Sequence, residues 1–318
     1  MARFLVTGGA GFVGSHLVAA LLKQGHVVRV LDDLSSGSRD NLPPQVELIL
    51  GDVSNPTAVA QAFENIDACF HLAAIASVVR CNTEWVRAQQ VNLTGTVNIF
   101  DQARRLRHWR EIPIVYASTA AVYGDCTAVP IGEQNPVAPL SAYAADKAAC
   151  ELHARVAGGV HRIPTIGLRF FNLYGPGQDP RSPYSGVITL FAKKLTCGEP
   201  VDIFGDGEQV RDFIYIGDAV SALGRALPAA STSGPVFNIC TGTGTTVRTL
   251  AETMAGLYGT DLVACYKPER CGDVRVSIGD PSRAAEHLGF TAETTLTNGL
   301  AATLKGRSTT IECKPRAV

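Results

Sequence analysis

Tyr143 and Lys147 stand four residues apart in SAYAADKAACELHA, a stretch that reads as helix. Residues at i and i+4 share one helix face, so a phenol and an ammonium placed there reach a common point. A tyrosine alone is a poor base, because its ordinary pKa is about 10. A fixed cation nearby favours the phenolate and brings that value toward neutral pH, as a group that takes a proton from an alcohol requires. Tyr-x-x-x-Lys is a short pattern that arises by chance in many helices. Its meaning depends on what the rest of the chain sets around it.

The opening segment, ARFLVTGGAGFVGSHLVAALLKQGHVVRVLDDLSSG, supplies that setting. Phe4 to Val6 is a short apolar run suited to a buried parallel strand. Gly8, Gly9, Gly11 and Gly14 follow, satisfying G-x-G-x-x-G, and then a helical stripe of Val13, Leu17, Val18, Leu21 and Leu22. A second apolar run, Val27 to Leu31, ends at Asp32 and Asp33. Strand, glycine turn, helix, strand and acid form the dinucleotide-binding fingerprint. Missing side chains let the backbone approach a pyrophosphate, and the helix N-terminus supplies N–H groups and positive potential. Asp32 lies roughly 20 residues after the glycines, where a carboxylate bonds a ribose 2′-hydroxyl and repels a 2′-phosphate. No arginine follows it immediately, so the expected cofactor is NAD rather than NADP.

The elements that must carry these residues alternate. Apolar runs at 46–50, 68–72, 112–117 and 163–170 read as strands, and the segments near 56–65, 84–108 and 141–158 read as helices. Such alternation predicts a doubly wound parallel sheet, the Rossmann architecture, with helices on both faces. Ligands bind outside the C-terminal strand ends of such sheets. Small or polar residues follow every predicted end: Gly8, Asp32, Asp52, Ala73, Thr119 and Asn172. After Asn172 the chain turns rich in Pro, Gly and Ser, then offers a helix near 187–197 and a short strand near 236–239. The expected organisation is a dinucleotide-binding domain over 1–171, its late strands open to contribution from later segments. A smaller mixed α/β substrate-binding region follows over 172–305, and then a tail over 306–318.

Composition sets bounds. The 318 residues are 46% hydrophobic and 18% charged with a formal net charge of −1, so there is core enough and no electrostatic case for nucleic acid or an anionic membrane. No apolar run approaches the 18 or more residues of a membrane span, and the chain enters a strand at once, which argues against a secretory leader. The nine cysteines form no C-x-x-C pair. They are expected to be reduced, mostly buried thiols of a cytoplasmic protein, with no metal site. His71 ends an apolar run and reads as a packed strand residue rather than a ligand.

With these residues in place, the chain resembles the extended short-chain dehydrogenase/reductases, specifically the nucleotide-sugar epimerase/dehydratase group. The resemblance rests on TGGAGFVG, Asp32, GDV at 51–53, HLAA at 71–74, Asn92, STAAVYG at 118–124, Tyr143 with Lys147, LRFFNLYGP at 168–176 and GEQVRDFIYIGD at 207–218. It covers about residues 3 to 305, and within the group the likeness is strongest to UDP-hexose 4-epimerases. It implies that Gly8, Gly11, Phe12, Val13 and Gly14 receive the NAD pyrophosphate and Asp32 the adenosine ribose. Asp52 and Val53 would border the adenine. Leu72, Ala73, Ala74, Asn92 and Phe171 would line the cofactor. Lys147 would bind the nicotinamide ribose as well as tune Tyr143, and Thr119 would bond the reacting hydroxyl. Asn172, Val187, Phe204, Arg211 and Arg270 would surround the UDP part, since guanidiniums suit a diphosphate.

The mechanism so implied is oxidation and re-reduction at one carbon. Tyr143 takes the proton of a sugar 4-hydroxyl, the C4 hydride leaves to NAD, and the 4-keto sugar turns its other face before both return. The dehydratases and decarboxylases of the group carry an acid just after the Thr, where this chain has Ala120 and Ala121; the next acids, Asp125 and Glu133, lie further along. A UDP-glucuronate 4-epimerase remains an alternative, as does, remotely, an NAD-holding sensor without catalysis. Ser277 falls where epimerases that exclude N-acetyl sugars carry a tyrosine, so room for UDP-GlcNAc and UDP-GalNAc is expected beside UDP-Glc and UDP-Gal. Ala76 and Val187 depart from a lysine and an amide found in some members. Relatives pair the helices near 84–108 and 141–158 across a two-fold axis, which implies a homodimer through a four-helix bundle.

Overall fold

The computed structural model describes residues 1–178, 186–269 and 273–305. Six short strands run through the first half of the chain: β1 (Arg3–Thr7), β2 (Val27–Asp32), β3 (Glu47–Leu50), β4 (Ala68–His71), β5 (Ile114–Thr119) and β6 (Thr165–Phe170). Every residue of β4 and β6 is buried, as unbroken apolar runs in a sheet covered on both faces must be. Between the strands lie α1 (Phe12–Lys23), α2 (Pro56–Ala62), α3 (Val78–Thr83), α4 (Trp85–Gln89), α5 (Gly95–Leu106) and α6 (Ala142–Gly159). The second half adds β7 (Asn172–Tyr174), β8 (Val201–Phe204), β9 (Val210–Tyr215), β10 (Val236–Ile239), β11 (Gly244–Thr246), β12 (Ala264–Lys267) and β13 (Val276–Ser277). Its helices are α7 (Val187–Thr196), α8 (Ile216–Ala226), α9 (Val247–Tyr258), α10 (Ser282–Leu288) and α11 (Leu296–Lys305).

Seven strands form one parallel sheet in the order β10-β6-β5-β4-β1-β2-β3. The chain winds outward from β1 to β3, then returns to build β4, β5 and β6 on the other side. The order therefore reverses between β1 and β4, where such sheets open a crevice beyond their strand ends. Leu17, Val18 and Leu21 of α1 share a core with Ala219, Ala222, Leu223 and Ala226 of α8 on one face. Residues of α2, α5 and α6 pack the other face, among them Val59, Ile99, Phe100 and Ala154. A third core joins α7, α9 and α11 to β8 and β9. There β9 pairs with β7, β11 and β13, and β8 with β12.

The helix foreseen over 84–108 runs without a gap from Trp85 to Leu106, but it holds a π-turn at Gln90–Thr94, between α4 and α5, that the pattern does not foretell. The cause is local competition for the backbone. The Asn92 carbonyl accepts from Thr96 Oγ1 at 2.6 Å and from Cys150 Sγ at 3.3 Å, while its amide engages Ile75. One expectation needs correction: the cysteines are not uniformly reduced. Cys69, Cys81, Cys150 and Cys240 are buried free thiols, but Cys197 is disulfide-bonded. Among the described residues no helix is long and apolar enough to cross a membrane.

Candidate active site

The glycine turn shows what each missing side chain permits. Gly8 follows β1 with φ +69°, and a Cβ there would lie 2.7 Å from Ala73 Cα and N. The end of β1 thus presses against the chain leaving β4. A Cβ on Gly14 would collide with the Gly8 carbonyl, so this glycine serves the packing of helix on strand. Gly11 is different. A Cβ there would meet only Gly8 O, at 3.3 Å, and otherwise open space. No side chain caps the N-terminus of α1, which leaves the first-turn N–H groups, Phe12 and Val13 included, for an anion. This cradle fits a pyrophosphate.

Asp32 ends β2 beside that turn, its oxygens accepting from Ala10 N and Leu34 N, each at 2.9 Å. Burial raises its pKa against the pull of those two N–H groups. Asp52 follows β3. Burial acts to raise it too, but the Arg87 guanidinium and the Ser54 N–H win and hold its carboxyl below the usual range. Val53 beside it is buried, its carbonyl accepting from Asn98 Nδ2. After β4, Leu72 N donates to Thr7 O and Ala73 N to Thr7 Oγ1, which holds Leu72, Ala73 and Ala74 against the end of β1. Asn92, fully buried, spends its amide on Ile75, accepting from N at 2.8 Å and donating to O at 3.2 Å. Its effect on the crevice passes through this backbone. Phe171 stands apart: its side chain packs with Val122, Tyr123, Ile131 and Cys240, and its N–H is bonded to Ile239.

At the centre, Ser141 caps α6 by accepting from Ala144 N, and Tyr143 falls in the first turn. Lys147, one turn on and 2% exposed, donates from Nζ to Ala117 O at 2.9 Å. Thr119 ends β5; its hydroxyl accepts from Ala121 N at 3.1 Å and lies near enough to the Tyr143 phenol to act on its pKa. The tyrosine does not titrate as its sequence neighbours suggest. Burial pushes its phenol well up, the Cys81 thiol adds to that, and only the nearby Thr119 hydroxyl opposes. Burial pushes Lys147 down. The ammonium is committed to the Ala117 carbonyl, so among the protein's own atoms desolvation, not the cation, dominates the phenol.

A cavity of about 660 Å³ opens on the other side, lined by Asn172, Val187, Phe204, Gln209, Arg211 and Asp273 among others. That volume suits a small-molecule ligand. Four of the residues expected to surround the UDP part therefore share one wall. Arg211 donates from Nη2 to Asp273 Oδ1 at 2.5 Å and from Nη1 to Val210 O at 2.8 Å. Ser277 of β13 is the register partner of Arg211 on β9. Arg270 lies outside the described residues. Thr119 is the register partner of Phe170, and Asn172, which lines the cavity, follows two residues later; Thr119, Tyr143 and Lys147 are not themselves among the lining residues. No carboxylate succeeds Thr119. The Glu133 carboxylate is turned to β10, accepting from Asn238 N and pairing with Arg283, and Asp125 is exposed. His71 is buried between Thr7 Oγ1 and Thr96 Oγ1.

Sequence reasoning missed Arg87, Gln209 and the partnership of Arg211 with Asp273. Each depends on a cross-chain contact for which no local pattern speaks, although Asp273 sits four before Ser277 in a stretch already singled out.

Residues 4–240 match the model of the NAD dependent epimerase/dehydratase family. The chain belongs to that family. Among curated proteins, the UDP-glucose 4-epimerase of Mycolicibacterium smegmatis is 37% identical over 310 residues, covering 95% of this chain and 97% of that one. Among solved structures, the UDP-glucose 4-epimerase of Thermotoga maritima with UDP-glucose superposes with a TM-score of 0.91 at 35% identity, covering 96% of this chain and 98% of that one. The UDP-N-acetylglucosamine 4-epimerase of Methanobrevibacter ruminantium, in complex with UDP-N-acetylmuramic acid, gives 0.90 at 32% identity, covering 96% and 97%. The sheet order, the glycine turn and the Thr–Tyr–Lys arrangement of this family member lie in the matched region.

Proposed function

We propose that this chain is an NAD-dependent UDP-hexose 4-epimerase that works through a transient 4-keto sugar. The observation that carries the reading is Thr119 at the end of β5 with Tyr143 in the first turn of α6, Lys147 one turn behind and no acid after the threonine. The open side of Gly11, the uncapped α1 and the Asp32 carboxylate would hold the cofactor. NAD, when bound, would supply a hydride acceptor and donor for the sugar carbon. Every other task falls to side chains. Thr119 orients the 4-hydroxyl, and Tyr143 removes and restores its proton. Lys147 holds positive charge where negative charge would develop. Arg211 and Phe204 grip the nucleotide, loosely enough beyond the diphosphate for the keto sugar to turn.

In this reading residues 1–171 chiefly hold NAD and 172–305 the UDP-sugar. The acid that a dehydratase or decarboxylase needs is missing at Ala120 and Ala121. The small Ser277 beside Arg211 supports acceptance of N-acetylated as well as plain hexoses. A homodimer completes the proposal. On α6, Leu152 is 62% and Val156 48% exposed, and Trp85 and Val86 are exposed on α4. We place the enzyme in the cytoplasm, in line with the free thiols of Cys69, Cys81, Cys150 and Cys240 and despite the disulfide-bonded Cys197.

The test is product analysis on UDP-Glc, UDP-GlcNAc and UDP-glucuronate with purified protein. The C4 epimers of the first two are expected. Tyr143→Phe should lower turnover by orders of magnitude while NAD stays bound; unchanged turnover removes the tyrosine from the mechanism. Loss of water or carbon dioxide from any substrate excludes the epimerase reading.

A further inference from the structure

A buried polar row runs behind Thr119. Ser118, Arg169 and Asn238 are register partners across three adjacent parallel strands, β5, β6 and β10. Glu151 descends on them from α6, two turns beyond Tyr143. Ser118 Oγ donates to Glu151 Oε1 at 2.5 Å, and Arg169 donates to both carboxylate oxygens, from Nε at 2.8 Å and Nη2 at 2.6 Å. Arg169 Nη1 donates to the Tyr123 hydroxyl at 2.8 Å, and that hydroxyl donates on to Asn238 Oδ1 at 2.7 Å. The guanidinium also lies over the Tyr123 ring, 4.8 Å from its centre. Arg169 is 3% and Glu151 7% exposed.

Thr119 is thereby bracketed. The residue before it is bonded to α6 through Glu151, and the turn after it (Ala120–Tyr123) is bonded to β6 through Arg169. α6 is also the helix that carries Tyr143. A buried ion pair is a poor source of stability, because desolvation offsets most of its attraction, and apolar residues of like volume fill such space as well. What the charged version adds is direction: a bidentate fork with fixed angles.

We propose that Glu151 and Arg169 are positioning residues, whose bonds to Ser118 and Tyr123 fix the backbone on both sides of Thr119 and so set its hydroxyl against the Tyr143 phenol. This rests on the reading of Thr119 and Tyr143 as the reacting pair. The least disruptive test is Ser118→Ala, which cuts the link between β5 and α6 and keeps the ion pair. The kcat for UDP-hexose epimerisation should fall about tenfold, the scale of a small misplacement, with KM and bound NAD unchanged. Ser118→Thr, which keeps the hydroxyl, should recover most of that loss. A Ser118→Ala enzyme within twofold of the parent kcat overturns the proposal even if its Tm drops, because the row then serves stability alone. So does a Ser118→Thr enzyme as slow as Ser118→Ala. Should Ser118→Ala fail to fold, Ser118→Cys, near in size and weaker as a donor, is read on the same scale. Tyr143→Phe assayed alongside separates the two readings. If it keeps turnover, the reacting pair itself is wrong; if it is inactive while Ser118→Ala runs normally, only the positioning role fails.

Discussion

His71 lies buried between two threonine hydroxyls at the end of β4, and burial, aided by the Lys147 charge, pushes its pKa from 6.5 down to about 3. The folded protein therefore keeps this imidazole neutral where the unfolded chain would protonate it. Between those two values unfolding takes up a proton. The contribution is fully present above pH 6.5 and fades as pH falls toward about 3. At ~1.4 kcal/mol per unit, the loss amounts to a few kcal/mol. Urea midpoints of the parent should thus decline steeply from pH 7 to pH 4, and His71→Gln should show a shallower decline over the same range. Parallel slopes would assign the acid sensitivity elsewhere. The residue-level chemistry was legible unevenly. Tyr143 and Lys147 stand out by type and spacing, and Thr119 only through the family resemblance. Glu151, eight residues beyond Tyr143, reads as an ordinary helix acid until strand register sets Arg169 beneath it.

At the scale of elements, α6 has two working faces. Tyr143, Lys147 and Glu151 point inward, while Leu152 and Val156 lie on the outward side, exposed and apolar. The inward face was readable from the i, i+4 spacing of Tyr143 and Lys147. If α6 pairs with a second copy, Leu152→Glu with Val156→Glu should halve the mass seen by sedimentation. Tm at low concentration should change little, because neither side chain supports the monomer core. An unchanged mass would count against this helix as the interface. The π-turn between α4 and α5 was not legible. Helical pattern persists across Gln90–Thr94, and only the side chains of Thr96 and Cys150, arriving at the Asn92 carbonyl, mark the spot.

For the whole molecule, the sheet is finished by chain that arrives late. β10, from residues 236–239, covers the edge of β6, and α8 covers α1. The apolar run at 236–239 reads as a strand from sequence, but periodicity does not say which sheet it joins. The two-residue β13 leaves no pattern at all. A fragment of residues 1–178 would expose an unpaired strand edge and the outer face of Leu17, Val18 and Leu21. It should melt without a cooperative transition by far-UV circular dichroism, whereas residues 1–305 should melt sharply. A sharp transition in the fragment would show that the first half folds without its later partners.

The pairing of β13 with β9 has one more consequence. Ser277 and Arg211 occupy one rung of a parallel ladder, with their side chains on the same face. Bulk added at 277 will crowd the guanidinium, and a shift of the guanidinium will reshape the space beside 277. If Ser277 borders the sugar and Arg211 the diphosphate, as proposed, discrimination between sugars and hold on the phosphates are not separate dials. An engineer who turns one should expect the other to move.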